Sequence, residues 1–183
     1  VITVTPTIET SAIDQHDVLF DYIEIPNAVS VNGGSAIIQS IQLLDEGDQG
    51  GAIDLVFQSD NTALGTLDAA VSISDANARD ILGYVSITNY FDGIAWQMST
   101  KNNIGLVVKA ASDTKSIYVA GVIRSASIDY NAATDIQLKI GIVKEINFKL
   151  NRFLLDFPID NQFGWYGLNE IKIIDNIDKE LNN

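Results

Sequence analysis

The residues best suited to metal chemistry lie in one short acidic segment, Asp45-Glu46-Gly47-Asp48. Its composition is similar to part of a calcium-binding loop. An EF-hand loop, however, needs oxygen ligands at positions one, three and five and a Glu at position twelve, and this spacing is absent. The chain has no Cys and one His, which excludes a thiolate or multi-histidine metal centre. We therefore interpret the segment as an acidic loop tip and expect no metal site and no cofactor.

Catalytic chemistry has one candidate general base, His16, which lies between Asp14 and Asp17. A general base needs a nucleophile and an orienting partner, and the sequence identifies neither. The chain also has no Gly-x-Ser-x-Gly elbow, no Walker loop and no dinucleotide-binding fingerprint. A carboxylate pair for glycoside hydrolysis stays possible among 24 acidic residues, but so many acids always offer some pair. We predict a surface histidine and a protein that is not an enzyme, without catalytic residues.

Aromatic side chains provide two binding hypotheses. The first is a sugar-stacking platform, although aromatic residues on strands are more often core or interface anchors. Its candidate residues are Tyr84, Tyr90, Trp96, Trp165 and Tyr166. The second is a partner-binding cluster, because six of the 15 aromatic residues fall within 145–183. These candidate partner-binding residues are Phe148, Phe153, Phe157, Phe163, Trp165 and Tyr166.

Charge is distributed unevenly along the 183 residues, whose formal net charge is -13. Residues 1–100 contain 14 acids and one basic residue, Arg79, whereas residues 101–183 contain ten of each. This acidity argues against nucleic acid as a partner. It favours a solvated acidic face that limits aggregation, with a basic partner as the alternative. No apolar run approaches the roughly 18 residues of a membrane span, so we expect no membrane partner.

The elements that position these residues have the two-residue period of strands. The clearest strands lie within 53–57, 84–91, 104–108, 117–123 and 136–142, and weaker candidates are 18–25 and 36–44. Turn residues occur at 32–34, 47–51, 92–93 and 102–103. A short helix is predicted after Ser74 and ending near Gly83. The pattern predicts an all-β fold with an antiparallel β-sandwich or jelly-roll-like body, one short helix and a C-terminal arm.

A change in composition near Lys144-Glu145 divides the chain. We predict a β-sandwich body at 1–144 and a C-terminal arm or assembly extension at 145–183. The apolar alternation that begins at Ile136 continues to Leu150 except at Lys144. A strand of about 15 residues exceeds the usual length, so it either bends at Lys144-Glu145 or leaves the body as an arm. The later spacing from Leu168 to Leu181 favours an amphipathic helix, with a strand at 171–174 as the alternative.

Four segments of the body carry a resemblance to a known family. They are Leu43–Phe57 (LLDEGDQGGAIDLVF), Ser72–Gly83 (SISDANARDILG), Ser116–Gly121 (SIYVAG) and Asp135–Val143 (DIQLKIGIV). In this order they resemble segments of small virion structural proteins of tailed bacteriophages, commonly encoded near the head genes. The resemblance covers roughly residues 1–144 and includes no catalytic signature; residues 145–183 depart from the pattern.

This resemblance implies a non-enzymatic virion component, and in particular a capsid decoration or cement protein. Its expected partners are the major capsid protein or other virion subunits and further copies of itself in a homo-oligomer. Its expected location is the virion, assembled in the host cytoplasm. An alternative is a glycan-binding β-sandwich module of a phage fibre or tail.

Overall fold

The fold is known from a computed structural model that describes residues 1–125 and 127–145. These residues form nine strands, numbered in chain order. They are β1 (Ile2–Val4), β2 (Val18–Ile25), β3 (Ser35–Asp45), β4 (Ile53–Gln58), β5 (Ile81–Ile87), β6 (Phe91–Asp92), β7 (Gln97–Lys109), β8 (Ile117–Ile123) and β9 (Ile136–Lys144). The alternation of apolar and polar residues therefore located all the longer strands, including the two weaker candidates.

The strands form two antiparallel sheets packed as a β-sandwich, which confirms the predicted fold class. The first sheet has five strands in the order β1-β9-β3-β7-β6, and the second has four in the order β2-β8-β4-β5. β3 is the central strand of the first sheet, where Ile37 pairs with Val107 of β7 and with Val143 of β9. This register places the side chains of three strands in rows across each face of the sheet.

The core lies between the two sheets. Alternate residues of each strand point inward and are buried, among them Ile38, Ile41 and Leu43 of β3 and Leu55 and Phe57 of β4. Gly121 of β8 fits here because Phe20 of β2 crosses it: a Cβ at Gly121 would collide with the Phe20 ring. The absence of a side chain is thus a packing requirement at this position.

The outer face of the four-stranded sheet carries a smaller apolar cluster. Val18, Ala120 and Val122 of this sheet are buried with Leu64 of the loop between β4 and β5, and Leu67 of that loop packs against them. The Leu64 amide donates to Asp21 Oδ1 at 3.0 Å and helps to hold the loop. The chain therefore covers part of this outer face with its own loop.

Three predicted boundaries are wrong. In place of the short helix within 74–83, one 3-10 turn spans Asn77–Asp80, and β5 begins at Ile81, before Gly83 could end a helix. The strand predicted over 84–91 ends at Ile87, and Phe91 starts β6. Asn102-Asn103 is not a turn between strands. Both residues lie inside β7.

The reason for the last error is a β-bulge. Ile38 pairs with Leu106 and Ser40 pairs with Asn102, so three residues of β7 face one residue of β3. Asn103 and Gly105 absorb the excess with positive φ values of 56° and 69°. Turn-type residues therefore bend this long strand without ending it.

The last described strand, β9, ends at Lys144. The division at 144/145 stays a prediction, and the expected C-terminal arm lies outside the described residues. In the part of the chain that the structure describes, no helix is long and apolar enough to cross a membrane.

Candidate binding surface

The two sheets differ in the charges that their strands carry. The four strands of the second sheet contain Asp21, Glu24 and Asp54 and no Lys or Arg. The five strands of the first sheet contain four lysines, together with Asp45, which is buried, and Asp92 at the edge. The lysines are Lys101, Lys109, Lys139 and Lys144. The lysines of the strands thus all lie in the first sheet, whereas nine of the 14 acids of residues 1–100 lie outside the strands.

A row of exposed apolar side chains crosses the outer face of the first sheet. Val107, Ile37 and Val143 are paired in register on β7, β3 and β9 and are 64%, 38% and 53% exposed. Strand positions pointing to solvent usually carry polar residues. Three adjacent exceptions form a continuous apolar strip, which is typical of a surface that a partner covers.

The β6–β7 hairpin adds a second apolar feature at the far end of the same face. Its turn is closed by the Gly93 amide, which donates to the Trp96 carbonyl at 2.8 Å. The Ile94 amide donates to Asp92 Oδ1 at 3.0 Å. This geometry forces Ile94 to a φ of 77°, although a β-branched residue rarely adopts a positive φ. Ile94 is 94% exposed, so no packing within the described residues explains this choice of side chain.

The hairpin borders a cleft of about 450 Å³ on the outer face. Leu44 and Met98, which are paired across β3 and β7, contribute to the cleft lining, and so does Trp96 of the hairpin. Trp96 is held by two neighbours: its ring centroid lies 6.0 Å from that of Phe91, and its ring lies against Gly93, where a Cβ would collide with it. The cleft is thus lined on the hairpin side by a fixed aromatic ring.

Polar side chains supply the rest of the cleft lining. Gln42 of β3 pairs with Lys139 of β9, and Glu46 follows β3. Glu46 and Lys139 are exposed, and neither takes part in a salt bridge among the described residues. The cleft therefore offers both hydrogen-bond donors and acceptors to a ligand.

The acidic segment 45–48 has a structural role. Asp45 is fully buried, and its carboxylate accepts three backbone amides of the following turn: Gly47 at 3.0 Å, Gln49 at 3.1 Å and Gly50 at 2.8 Å. Burial raises the pKa of Asp45 above its ordinary value, and the three amide donors oppose that shift. No group of His, Cys, Asp and Glu residues suited to a metal occurs within 1–125 and 127–145.

Two tyrosines, the partly buried Tyr90 and the fully buried Tyr130, lie near this carboxylate. Tyr90 donates its hydroxyl hydrogen to the Gly51 carbonyl at 2.7 Å and thereby fixes the other end of the turn. Burial raises the pKa of Tyr90 and of Tyr130, and the nearby charge of Asp45 adds to both shifts. Both phenols stay neutral in the physiological range. Tyr90 stabilises the turn as a neutral donor, whereas the buried Tyr130 hydroxyl has no hydrogen-bond partner among the described residues.

His16 belongs to a small polar cluster at the surface. Arg124 Nε lies 2.6 Å from Asp54 Oδ2, and Arg124 Nη1 lies 2.9 Å from His16 Nδ1. Ser86 donates to the other Asp54 oxygen at 2.6 Å. Arg124 separates His16 from the carboxylate, so the arrangement lacks the histidine–carboxylate contact that orients a general base. The cluster joins β4, β5 and the segment after β8 as a structural element.

The structure does not bring the three described residues of the predicted aromatic platform together. Tyr90 is used inside the fold, and Tyr84 is exposed on β5 of the second sheet, so neither joins Trp96. Phe91, which the sequence hypothesis did not include, is the partner of Trp96. The signal for it was the Asp92-Gly93 turn, which lies between Phe91 and Trp96 and folds the chain back on itself. The remaining platform residues, Trp165 and Tyr166, lie outside the described residues.

The six candidate partner-binding residues Phe148, Phe153, Phe157, Phe163, Trp165 and Tyr166 all lie outside the described residues, so their assignment stays a prediction. Sequence reasoning missed the apolar row and the cleft. A signal existed for the row, because Ile37, Val107 and Val143 each occupy a strand position that alternation assigns to solvent.

No protein-family model matches the chain, and no curated protein or solved structure has significant similarity to it.

Proposed function

We propose that this chain is a non-enzymatic structural protein of a tailed-phage virion, which binds capsid subunits through the outer face of its five-stranded sheet. The observation that carries the proposal is the in-register row of Val107, Ile37 and Val143. Capsid subunits are chosen as the partner because four sequence segments resemble those of small virion proteins, a resemblance that stays an expectation. A capsid decoration or cement role follows from this partner, and neighbouring copies of the chain are a second expected contact.

Charge complementarity also favours an arrangement in which the outer face of the five-stranded sheet contacts the capsid. Lys109, two residues after Val107 on β7, lies on the same face as the apolar row, so a basic side chain borders the row. A partner surface with apolar residues and a carboxylate rim would match this arrangement. The opposite sheet, whose Asp54 is buried and paired with Arg124, carries Asp21 and Glu24 and would then face solvent. Its negative charge would limit aggregation of the decorated particles.

Burial of the row supplies a reason for binding. Each valine or isoleucine that becomes fully buried contributes about 1.5–3 kcal/mol relative to an exposed one. Part of this surface is already covered in the free chain, so the available gain is smaller. A protein repeated many times on a particle can function with a modest gain per site, because neighbouring contacts add to it.

The test is co-sedimentation of the purified chain with undecorated capsids of the phage that encodes it. We compare the wild-type chain with Val107→Asp, which places a carboxylate in the row, and with Val71→Asp as the matched control. Val71 is a partly exposed valine outside the strands of the first sheet. The proposal predicts at least tenfold weaker binding for Val107→Asp and unchanged binding for Val71→Asp. Equal binding of both variants, or no binding of the wild-type chain, would refute it.

A further inference from the structure

The cleft beside the β6–β7 hairpin is separate from the apolar row. Leu44 in the cleft and Ile37 in the row lie on the same strand, seven residues apart, which corresponds to about 23 Å. The volume of about 450 Å³ falls within the range of roughly 300–1,000 Å³ that is typical of small-molecule sites. A ligand could therefore bind the cleft while the row is covered.

We propose that this cleft binds a neutral saccharide, with Trp96 as the stacking platform. Contacts with Phe91 and Gly93 hold the Trp96 ring before any ligand binds. A fixed aromatic ring loses little freedom on binding, so more of the contact energy appears as affinity. The apolar face formed by the C–H groups of a pyranose ring is the kind of surface that stacks on an indole.

The polar lining selects hydroxyl groups. The Glu46 carboxylate accepts hydrogen bonds and the Lys139 ammonium donates them. The Gln42 Nε2 group already donates one N–H to Met98 Sδ, which leaves its second N–H and its carbonyl oxygen for a ligand. A sugar hydroxyl also donates and accepts, so it can bind each of these groups. The opposite formal charges of Glu46 and Lys139 cancel within the cleft, which favours a neutral ligand over an anion or a cation.

A protein side chain is the competing occupant. Three of the seven lining residues are polar and two of these are charged. An apolar anchor buried there would remove Glu46 and Lys139 from water without supplying partners for them, at a cost in free energy. A saccharide pairs with both groups, so the lining as a whole favours it.

The test uses the full-length chain on an array of neutral oligosaccharides built from glucose, galactose, mannose and N-acetylglucosamine. Affinities for the best binders are then measured by fluorescence in a Trp165→Phe background, where Trp96 is the one remaining tryptophan. We expect saturable quenching of Trp96 and dissociation constants of about 0.1–1 mM. No saturable signal at about 10 mM with any member of the array would overturn the proposal.

Substitutions then locate the site. We expect Trp96→Ala to weaken binding by about tenfold or more, measured by calorimetry because the fluorophore is lost. Tyr84→Ala, which truncates an exposed aromatic side chain on the other sheet, is the matched control and should bind like the wild-type chain. Lys139→Ala is a second variant at an exposed position that does not pack in the core, and we expect several-fold weaker binding. Wild-type affinity of Lys139→Ala and of a folded Trp96→Ala would contradict the assignment.

The inference does not depend on the proposed virion function. Val107→Asp lies outside the cleft and should retain saccharide binding while losing capsid binding. Loss of saccharide binding in Val107→Asp would show that the cleft and the row are not separate sites and would contradict the inference.

Discussion

Substitution of Asp45 by alanine should destabilise the fold more than any change at an exposed acidic residue. The carboxylate accepts amides of Gly47, Gln49 and Gly50, and the side chain has no exposed surface. Hydrogen bonds to charged groups contribute about 1.5–3 kcal/mol each. The desolvation cost of the buried carboxylate disappears in the variant and offsets part of this loss. We therefore expect the free energy of unfolding to fall by about 3 kcal/mol.

Urea denaturation of the wild-type chain and of Asp45→Ala measures this difference. The matched control is Glu46→Ala, which removes the adjacent acid at an exposed position with no side-chain hydrogen bond among the described residues. The control should change the free energy of unfolding by less than about 0.5 kcal/mol. Asp45→Ala with a loss as small as the control would show that the carboxylate does not hold the turn.

The pH dependence of the difference in unfolding free energy between the wild-type chain and Asp45→Ala gives an independent check. Burial raises the pKa of Asp45 above the ordinary value of 3.8, so the folded state binds this proton more tightly than the unfolded state. The contribution of Asp45 to stability is therefore largest below pH 3.8 and declines as the pH rises through the raised pKa. The cost of Asp45→Ala should accordingly be greater below pH 3.8 than at pH 7. A cost that grows from acidic to neutral pH would contradict the direction of this shift.

Four further predictions follow from single contacts or segments. Gly121→Ala places a methyl group against the Phe20 ring and should lower the free energy of unfolding by about 2 kcal/mol in urea denaturation, whereas a loss below about 0.5 kcal/mol would show that Phe20 moves aside easily. Asparagine adopts a positive φ more readily than isoleucine, so Ile94→Asn at a φ of 77° should raise the free energy of unfolding by about 1 kcal/mol in urea denaturation. A decrease in the free energy of unfolding would mean that the Ile94 side chain stabilises the hairpin. Arg124→Met removes the ion pair with Asp54 and should lower the free energy of unfolding by about 1 kcal/mol in urea denaturation. Lys115→Met is the control, and an equal loss of stability in both variants would show that the ion pair contributes nothing. Deletion of 145–183 should leave a cooperative unfolding transition but abolish assembly by light scattering, whereas loss of the transition would make these residues part of the core.

Alternation located the strands because a β-sandwich buries one side of each strand, and this burial leaves a period of two in the sequence. Ile38, Ile41 and Leu43 are buried on one side of β3 for this reason. The method failed where turn-type residues serve another purpose. Asn103 and Gly105 bend β7 within the strand, and the residues around Asn77 form only one 3-10 turn because β5 begins at Ile81.

The candidate surface was harder to predict because it depends on pairing between distant strands. Val107, Ile37 and Val143 become neighbours only in the register of β7, β3 and β9. The cleft similarly combines Gln42, Trp96 and Lys139 from separate parts of the chain. Local sequence could assign Asp45 to a loop tip, but its burial and three amide contacts depend on how the turn folds back on the carboxylate.

Binding of the purified chain to undecorated capsids, measured as an isotherm, decides whether this protein is a capsid component. Light scattering or co-sedimentation at moderate salt gives both the affinity and the number of bound copies. The account predicts saturation at a fixed stoichiometry, with at least tenfold weaker binding of Val107→Asp and no change for Val71→Asp. A well-folded chain that does not bind capsids, or that binds without saturation, would contradict it.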